Sequence, residues 1–273
     1  LGVDLADGDP VKASFMSGSP LALALVFRGY ARALLGLPGW REDFNEGVAM
    51  AHDHDLLTYA SAVTYKSAAV IQQGLLMLDD IAMSEMEEAF QVALDLGDHS
   101  ALGLTKYALG AALLETHSDV ERGVQMLAEI REMCDRRQFF KSELPILDLL
   151  AAREDALNGN VEAALPVMRA AVDTLFNNGQ LTPCTWATSL CVVALLDRGT
   201  EGDVLEAESA IERLAAAPID DLVVRDVTEL RLRALVANAR GDEANYRDFR
   251  DRYRAMANDL GFEGHMAWAA AMA

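Results

Sequence analysis

The sequence has few basic residues and no long apolar run, and each of these absences excludes a class of protein. Its 273 residues include 23 Lys and Arg against 43 Asp and Glu, a formal net charge of −20. Nucleic-acid binding needs a basic face or stripe, so this composition predicts no nucleic-acid partner. No stretch of eighteen apolar residues lacks a polar interruption, so we expect no membrane-spanning segment.

Cysteine is also scarce. Cys134, Cys184 and Cys191 are an odd number of thiols and do not have the spacing of a metal site. On one helix, Cys184 and Cys191 would lie about 10 Å apart along the axis, which is too far for a disulfide. The sequence therefore predicts reduced, buried thiols in a cytoplasmic protein.

Motifs that carry chemistry are missing as well. The chain has no Gly-Lys dipeptide, and therefore no phosphate-binding loop of the Walker type. It also has no H-E-x-x-H, C-x-x-C or G-x-S-x-G motif. We therefore expect this chain to have no enzymatic activity, no cofactor and no metal site.

The sequence does contain a helical repeat with a period of about 40 residues, in the range of helix-pair arrays. Periodic helical segments are broken at Gly36, Asp79, His117, Gly159, Gly199 and Gly241. This spacing predicts an all-α superhelical array of about six antiparallel helix pairs. The predicted domains are an irregular segment at 1–18, the array at 19–260 and a C-terminal capping helix at 261–273. The chain begins at Leu1 rather than Met, so we expect it to be part of a longer polypeptide or a trimmed form of a protein.

Each predicted pair has a first and a second helix. The first helices are expected near 19–36, 56–78, 99–116, 141–158, 181–198 and 220–240, and the second near 40–53, 81–96, 119–136, 160–178, 203–216 and 242–260. A last helix is expected near 263–272. Polar residues that can cap second helices at their N-termini are Asp80, Ser118 and Asn160. Glycines that can close helices in the left-handed conformation are Gly97, Gly159, Gly179, Gly199, Gly241 and Gly261.

A small residue recurs in the first helices, seven positions before the turn, and predicts close packing of the two helices of a pair. It is Gly29, Gly110, Ala152 or Ala234. In the fourth pair the pattern resembles the tetratricopeptide repeat, whose small, Gly, Ala, aromatic and Ala positions fall at Ala152, Gly159, Ala164, Met168 and Ala171. The units here are longer than the family's, and its Trp and Tyr positions are largely missing.

Two segments are similar to the C-terminal repeat region of large actinobacterial signalling and regulatory proteins. They run from Gly18 to Asp43 and from Tyr253 to Trp268. Those proteins couple a nucleotide cyclase-like or helix-turn-helix domain to an AAA-type ATPase. The resemblance implies a regulatory arm whose partners include the other domains of its own chain. It transfers no catalytic residue, because the catalytic regions of that family are not in this sequence.

The concave face of such an array, lined by the first helices, is the predicted binding surface. Aromatic, hydroxyl and arginine side chains there suit a peptide, a protein or a small polar effector. An alternative explanation of these residues is that they fill gaps between repeats and pair with local acids. An alternative function is a stand-alone scaffold for protein assembly, and a homodimer stays open. The groove candidates are Tyr30, Tyr107, Arg153, Trp186, Ser189, Thr228 and Arg231.

Overall fold

The structure, a computed structural model, describes residues 9, 18–136, 140–218 and 221–272. Within these ranges every regular element is helical and no strand occurs, as the sequence predicts. The chain forms two compact units, Leu1–Lys141 and Ser142–Ala273. The predicted irregular segment at 1–18 lies outside the described residues except for Asp9 and Gly18. The limits proposed for the array and for the capping region stay predictions.

The described residues of the first unit form three helix pairs. The first helix of each pair packs against its second helix, and the first helices also contact one another in succession, α1 with α3 and α3 with α5. Helix α3 continues through a π-helical turn, Tyr65–Ala69, and a last helical turn, Val70–Gln72. The helices are α1 (Pro20–Leu34), α2 (Trp40–His54), α3 (Leu56–Thr64), α4 (Asp80–Leu96), α5 (His99–Thr116) and α6 (Val120–Asp135).

The second unit repeats this arrangement and ends in an additional helix. A 3-10 turn, Lys141–Glu143, precedes its first helix. Helix α7 packs on α8, α9 on α10 and α11 on α12, while α9 contacts both α7 and α11, and α13 packs against α12. The helices are α7 (Leu144–Leu157), α8 (Val161–Asn177), α9 (Leu181–Arg198), α10 (Glu201–Ala215), α11 (Val223–Ala239), α12 (Glu243–Leu260) and α13 (Glu263–Ala271). Packing in consecutive pairs confirms the predicted helix-pair organisation.

The small residues of the first helices occupy the predicted contact positions. Gly29, Gly110, Ala152 and Ala234 are all buried. A Cβ atom added to Gly29 would lie 2.9 Å from the carbonyl oxygen of Trp40 on α2. Real Cβ atoms do not approach other atoms this closely, so α1 and α2 can lie at this distance only because Gly29 has no side chain.

Most helix ends agree with the predictions. All six glycines proposed as helix closers have positive φ, and His117 ends α5 with φ 51°. The predicted helix at 56–78 is too long. Gly74 has φ 69°, and the amides of Gly74 and Leu75 bond to the carbonyls of Ile71 and Val70, which closes the helix after Gln72.

The predicted N-caps are wrong at two of three positions. The side chains of Asp79 and Asp119 accept bonds from the backbone N–H groups of Ala82 and Arg122, at 2.8 and 3.1 Å. Each capping residue is therefore the direct neighbour of the predicted one, Asp80 or Ser118. Asn160 does precede α8, but its side chain forms no capping hydrogen bond.

A buried carboxylate holds the start of α10. Asp203 is 1% exposed and forms a capping box with Thr200, in which each side chain accepts the other's backbone N–H. Arg198, from the end of α9, donates from Nε to Oδ2 of Asp203 at 3.0 Å. The hydrogen bonds from Arg198 keep the pKa of Asp203 well below its ordinary value, against the opposing effect of burial.

The three thiols are free and buried, as predicted. Burial raises the pKa of Cys184 to about 12 and the pKa of Cys191 to about 11. Both groups are therefore neutral thiols at physiological pH, and their side chains behave as small apolar residues of the core of the second unit.

Ion pairs connect the second helices of neighbouring pairs. In the first unit, Arg122 of α6 donates to Oε2 of Glu87 on α4 at 2.8 Å. In the second unit, Arg169 of α8 donates to Oε2 of Glu206 on α10 at 2.7 Å. Arg213 of α10 pairs in the opposite direction with Asp173 of α8. These pairs are partly exposed, so each one separately contributes only about 0–1 kcal/mol.

Candidate functional site

The seven predicted groove residues are divided between the two units. Tyr30 on α1 and Tyr107 on α5 belong to the first unit, and both are half-buried. The remaining five lie on three helices of the second unit: Arg153 on α7, Trp186 and Ser189 on α9, and Thr228 and Arg231 on α11.

In the first unit, Tyr107 has a packing role. Its hydroxyl bonds to the side-chain amide of Gln72, at 2.8 Å from Nε2 and 3.1 Å from Oε1. Gln72 ends the helical segment that follows α3, so this contact connects the second helix pair to the third. It agrees with the alternative explanation that Tyr107 fills a gap between repeats.

In the second unit, Ser189 and Arg231 are brought into direct contact. Arg231 donates from Nη1 to the hydroxyl of Ser189 at 2.9 Å, across the contact between α9 and α11. Trp186 and Thr228 each lie three residues before one of these partners, and positions i and i+3 share a helix face. We call the four residues the α9–α11 face. Ser189 and Thr228 are buried, whereas Trp186 and Arg231 are half-buried.

Arg231 also contacts an aromatic ring that is not among the predicted groove residues. Its guanidinium carbon lies 4.6 Å from the ring centroid of Trp268 on α13, within the range of a cation–π interaction. The hydroxyl of Ser189 and the ring of Trp268 therefore both hold the arginine while part of its side chain remains exposed. In the sequence, Trp268 is distinguished only as the end of the segment from Tyr253 to Trp268.

Trp268 packs against His265, which is fixed by hydrogen bonds to a buried tyrosine. Its ring meets the His265 ring edge-on, with 5.0 Å between centroids. The hydroxyl of Tyr253, a residue 0% exposed on α12, bonds to Nδ1 of His265 at 2.9 Å and donates to the His265 carbonyl at 3.0 Å. Since the hydroxyl has one proton, Nδ1 is the donor in the first bond. This contact seals the last helix pair.

The positive charge of Arg231 also acts on the buried hydroxyl of Tyr253. Burial raises the pKa of Tyr253 above its ordinary value, and the nearby charge of Arg231 opposes that shift. Arg231 is therefore close enough to affect the hydrogen-bonded contact between α12 and α13.

The fifth predicted groove residue of the second unit is Arg153. It lies on α7, the first helix of the preceding pair, which contacts α9, and it is half-buried.

This arrangement is suited to recognition. An arginine held between a hydroxyl and an aromatic ring can donate to an anionic or carbonyl oxygen, and Trp186 offers an apolar surface and one N–H donor. In the ranges 18–136, 140–218 and 221–272, no three His, Cys, Asp or Glu side chains lie close enough together to hold a metal ion.

A comparison of the chain with protein-family models gives no match, and neither does a comparison with curated protein sequences. Among the helices described by the structure, none is both long enough and apolar enough to cross a membrane.

Proposed function

We propose that this chain is a non-catalytic regulatory or interaction module that binds a peptide, a protein or a small effector on the α9–α11 face. The observation that carries the proposal is the position of Arg231, bonded to Ser189 and stacked on Trp268 while still half-exposed. A donor fixed in advance loses less conformational freedom on binding than a mobile surface arginine does.

The wider architecture in this proposal is a right-handed superhelix of tetratricopeptide type, with the first helices on its concave side. The support for it is the contact of successive first helices within each unit. The resemblance of its two terminal segments supports a place as the regulatory arm of an ATP-dependent signalling protein or transcriptional regulator in the actinobacterial cytoplasm. Its partners would then include the other domains of the same chain.

Regulation by such a module requires differential affinity. An effector shifts a conformational equilibrium only as far as it binds one state more tightly than the other. A ligand bound across α9 and α11 would contact two successive helix pairs at once. It would therefore favour one relative position of these pairs over others.

The experiment is a thermal-shift screen of the full chain against nucleotides, sugars, amino acids and short peptides, followed by calorimetry on any hit. At a hundredfold excess over the dissociation constant, a specific ligand stabilises the protein by about 2.7 kcal/mol. The variants Arg231→Gln and Trp186→Ala should weaken binding of a hit. Arg233→Gln is the matched control, because Arg233 lies on the same helix but pairs with Glu212 and Glu229.

A hit whose affinity is the same in the Arg231 and Trp186 variants would refute the α9–α11 face as the binding surface. A screen without any hit, combined with a separate partner protein that binds the chain equally well after both substitutions, would instead favour the stand-alone scaffold.

A further inference from the structure

A concave region lies at the last helix pair, and none of the four residues of the α9–α11 face lines it. It is an open cleft of about 590 Å³ between α11, α12 and α13. This volume falls within the range of small-molecule sites, about 300–1,000 Å³. Its walls combine an apolar part with a polar part that includes two arginines. The residues that matter for its chemistry are Leu235, Asn238, Glu243, Arg247, Arg250 and Met272.

The two arginines differ in exposure and in how firmly they are held. The side chain of Arg250 is only 20% exposed and donates from Nε to the carboxylate of Asp251 at 3.0 Å. Its guanidinium carbon also lies 5.5 Å from the ring centroid of Tyr246. Arg250 is thus a fixed positive charge in the wall of the cleft.

Arg247 is held loosely by comparison. It donates from Nη2 to Oε2 of Glu243, one turn earlier on α12, at 2.8 Å, and the two side chains are 67% and 75% exposed. Both residues line the cleft. A carboxylate of the protein itself therefore lies beside Arg247 at the cleft wall, in a contact that costs little to break because it is largely hydrated.

We propose that this cleft binds a ligand through a carboxylate group, which replaces Glu243 as the partner of Arg247 and lies in the field of Arg250. The planar guanidinium matches the two oxygens of a carboxylate. The apolar stem of the ligand rests against Leu235 and Met272, and the amide of Asn238 supplies a further polar contact. This proposal does not depend on the α9–α11 face.

The charges of the cleft favour a single negative charge on the ligand. The positive charges of the two arginines are balanced by two carboxylates, because Arg247 pairs with Glu243 and Arg250 pairs with Asp251. A group with two negative charges, such as inorganic phosphate, would meet two carboxylates at short range. A ligand carboxylate with a single negative charge is repelled less by these two groups. It binds Arg247 most favourably when the side chain of Glu243 turns away.

A carboxylate can come from a free organic acid or from the C-terminus of a peptide. The test therefore uses hexanoate and benzoate for the first source and N-acetylated tripeptides ending in Leu or Tyr for the second. Each probe is paired with its neutral amide, and inorganic phosphate is included. Binding to the full chain is measured by calorimetry at about 0.15 M salt, where the Debye length of about 8 Å screens the repulsion from the −20 net charge.

Four variants on α12 make the test specific. Arg247→Gln and Arg250→Gln should each weaken acid binding about tenfold or more, as expected for loss of a charged hydrogen-bond donor. Glu243→Gln should tighten it about twofold, because the competing internal ion pair is removed. Arg252→Gln should have no effect, since Arg252 forms the same kind of exposed i,i+4 pair, with Asp248, outside the cleft.

Binding of at least one acid, with its amide much weaker and Glu243→Gln tighter, supports the proposal, and the pattern across the two sets identifies the source. Equal binding of acids and amides overturns it. So does binding of phosphate alone, the absence of binding by every acid at millimolar concentration, or an unchanged affinity in Arg247→Gln. Arg247 is exposed enough that its variant should fold even if Arg250→Gln does not.

Discussion

The close contact of α1 and α2 at Gly29 can be tested with one added methyl group. In Gly29→Ala the new Cβ would lie 2.9 Å from the carbonyl oxygen of Trp40, 3.1 Å from Cβ of Asp43 and 3.3 Å from the amide nitrogen of Phe44. Two of these three atoms belong to the backbone, so no side-chain rotation removes the overlap. The helices must separate, and Asp43, which accepts from Arg28 and Arg32, must move with α2.

Two effects of opposite sign determine the stability of this variant. Replacing Gly by Ala in a helix stabilises it by about 0.5–1 kcal/mol. Overpacking a well-filled contact costs about 1–3 kcal/mol. The overlap with backbone atoms places Gly29→Ala toward the upper part of that range, so we expect a net destabilisation of about 1–2 kcal/mol.

Two other glycines provide the comparison. In Gly202→Ala the nearest atom to the new Cβ is Oγ1 of Thr200, at 3.8 Å, so only the stabilising effect remains. Gly110→Ala is intermediate, with Cβ of Met126 at 3.2 Å, and should be nearly neutral. The measurement is urea unfolding followed by pulsed hydrogen exchange, read on peptides from the unit that carries each substitution. A Gly29→Ala variant that is as stable as Gly202→Ala would contradict a close helix contact at Gly29.

Three further predictions concern buried polar groups. In Asp203→Asn we expect a loss of about 1–3 kcal/mol from the charged hydrogen bonds. Because the pKa of Asp203 is lowered in the folded state, its contribution to the free energy of unfolding is complete above about pH 4 and is lost as the pH falls toward the folded-state pKa. The stability of the variant should therefore depend less on pH in the acid range. An acid-unfolding profile identical to that of the unsubstituted protein would contradict this. Tyr253→Phe leaves the buried His265 Nδ1 without its hydroxyl partner and should cost about 1–3 kcal/mol in thermal unfolding, whereas a loss near zero would contradict the hydrogen bond. Cys184 and Cys191 should not react with a thiol reagent at neutral pH until urea unfolds the chain, and fast native-state labelling would show that they are not buried thiols.

The helix pairs could be predicted because the signals that define them are local. Glycine at a helix end takes a positive φ that other residues avoid, and a small residue in mid-helix marks a close contact. The capping residues were less predictable. At Asp79-Asp80 and Ser118-Asp119, two adjacent side chains can each cap a helix, and only the backbone path decides between them. The π-helical turn at Tyr65–Ala69 had no recognisable sequence signal.

The candidate site was predictable in part for a similar reason. Ser189 and Arg231 occupy equivalent positions in successive first helices, so the repeat period placed them side by side. Trp268 was missed because its contact with Arg231 depends on how α13 folds back after α12. The cleft between α11, α12 and α13 was missed for the same reason, since a terminal helix has no repeat register to follow.

The ion pairs between neighbouring second helices have a mechanical consequence. Two ion pairs connect α8 to α10, one between Arg169 and Glu206 and one between Asp173 and Arg213. They resist a change in the distance between the two helices. Partly exposed ion pairs weaken as salt is added, because the Debye length falls from about 10 Å at an ionic strength of 0.1 M to about 3 Å at 1 M. The bending stiffness of the second unit should therefore depend on ionic strength although its folded core does not. Distance distributions between spin labels on α8 and α12 should broaden in high salt, and a Glu206→Gln, Asp173→Asn variant should show the broad distribution already in low salt.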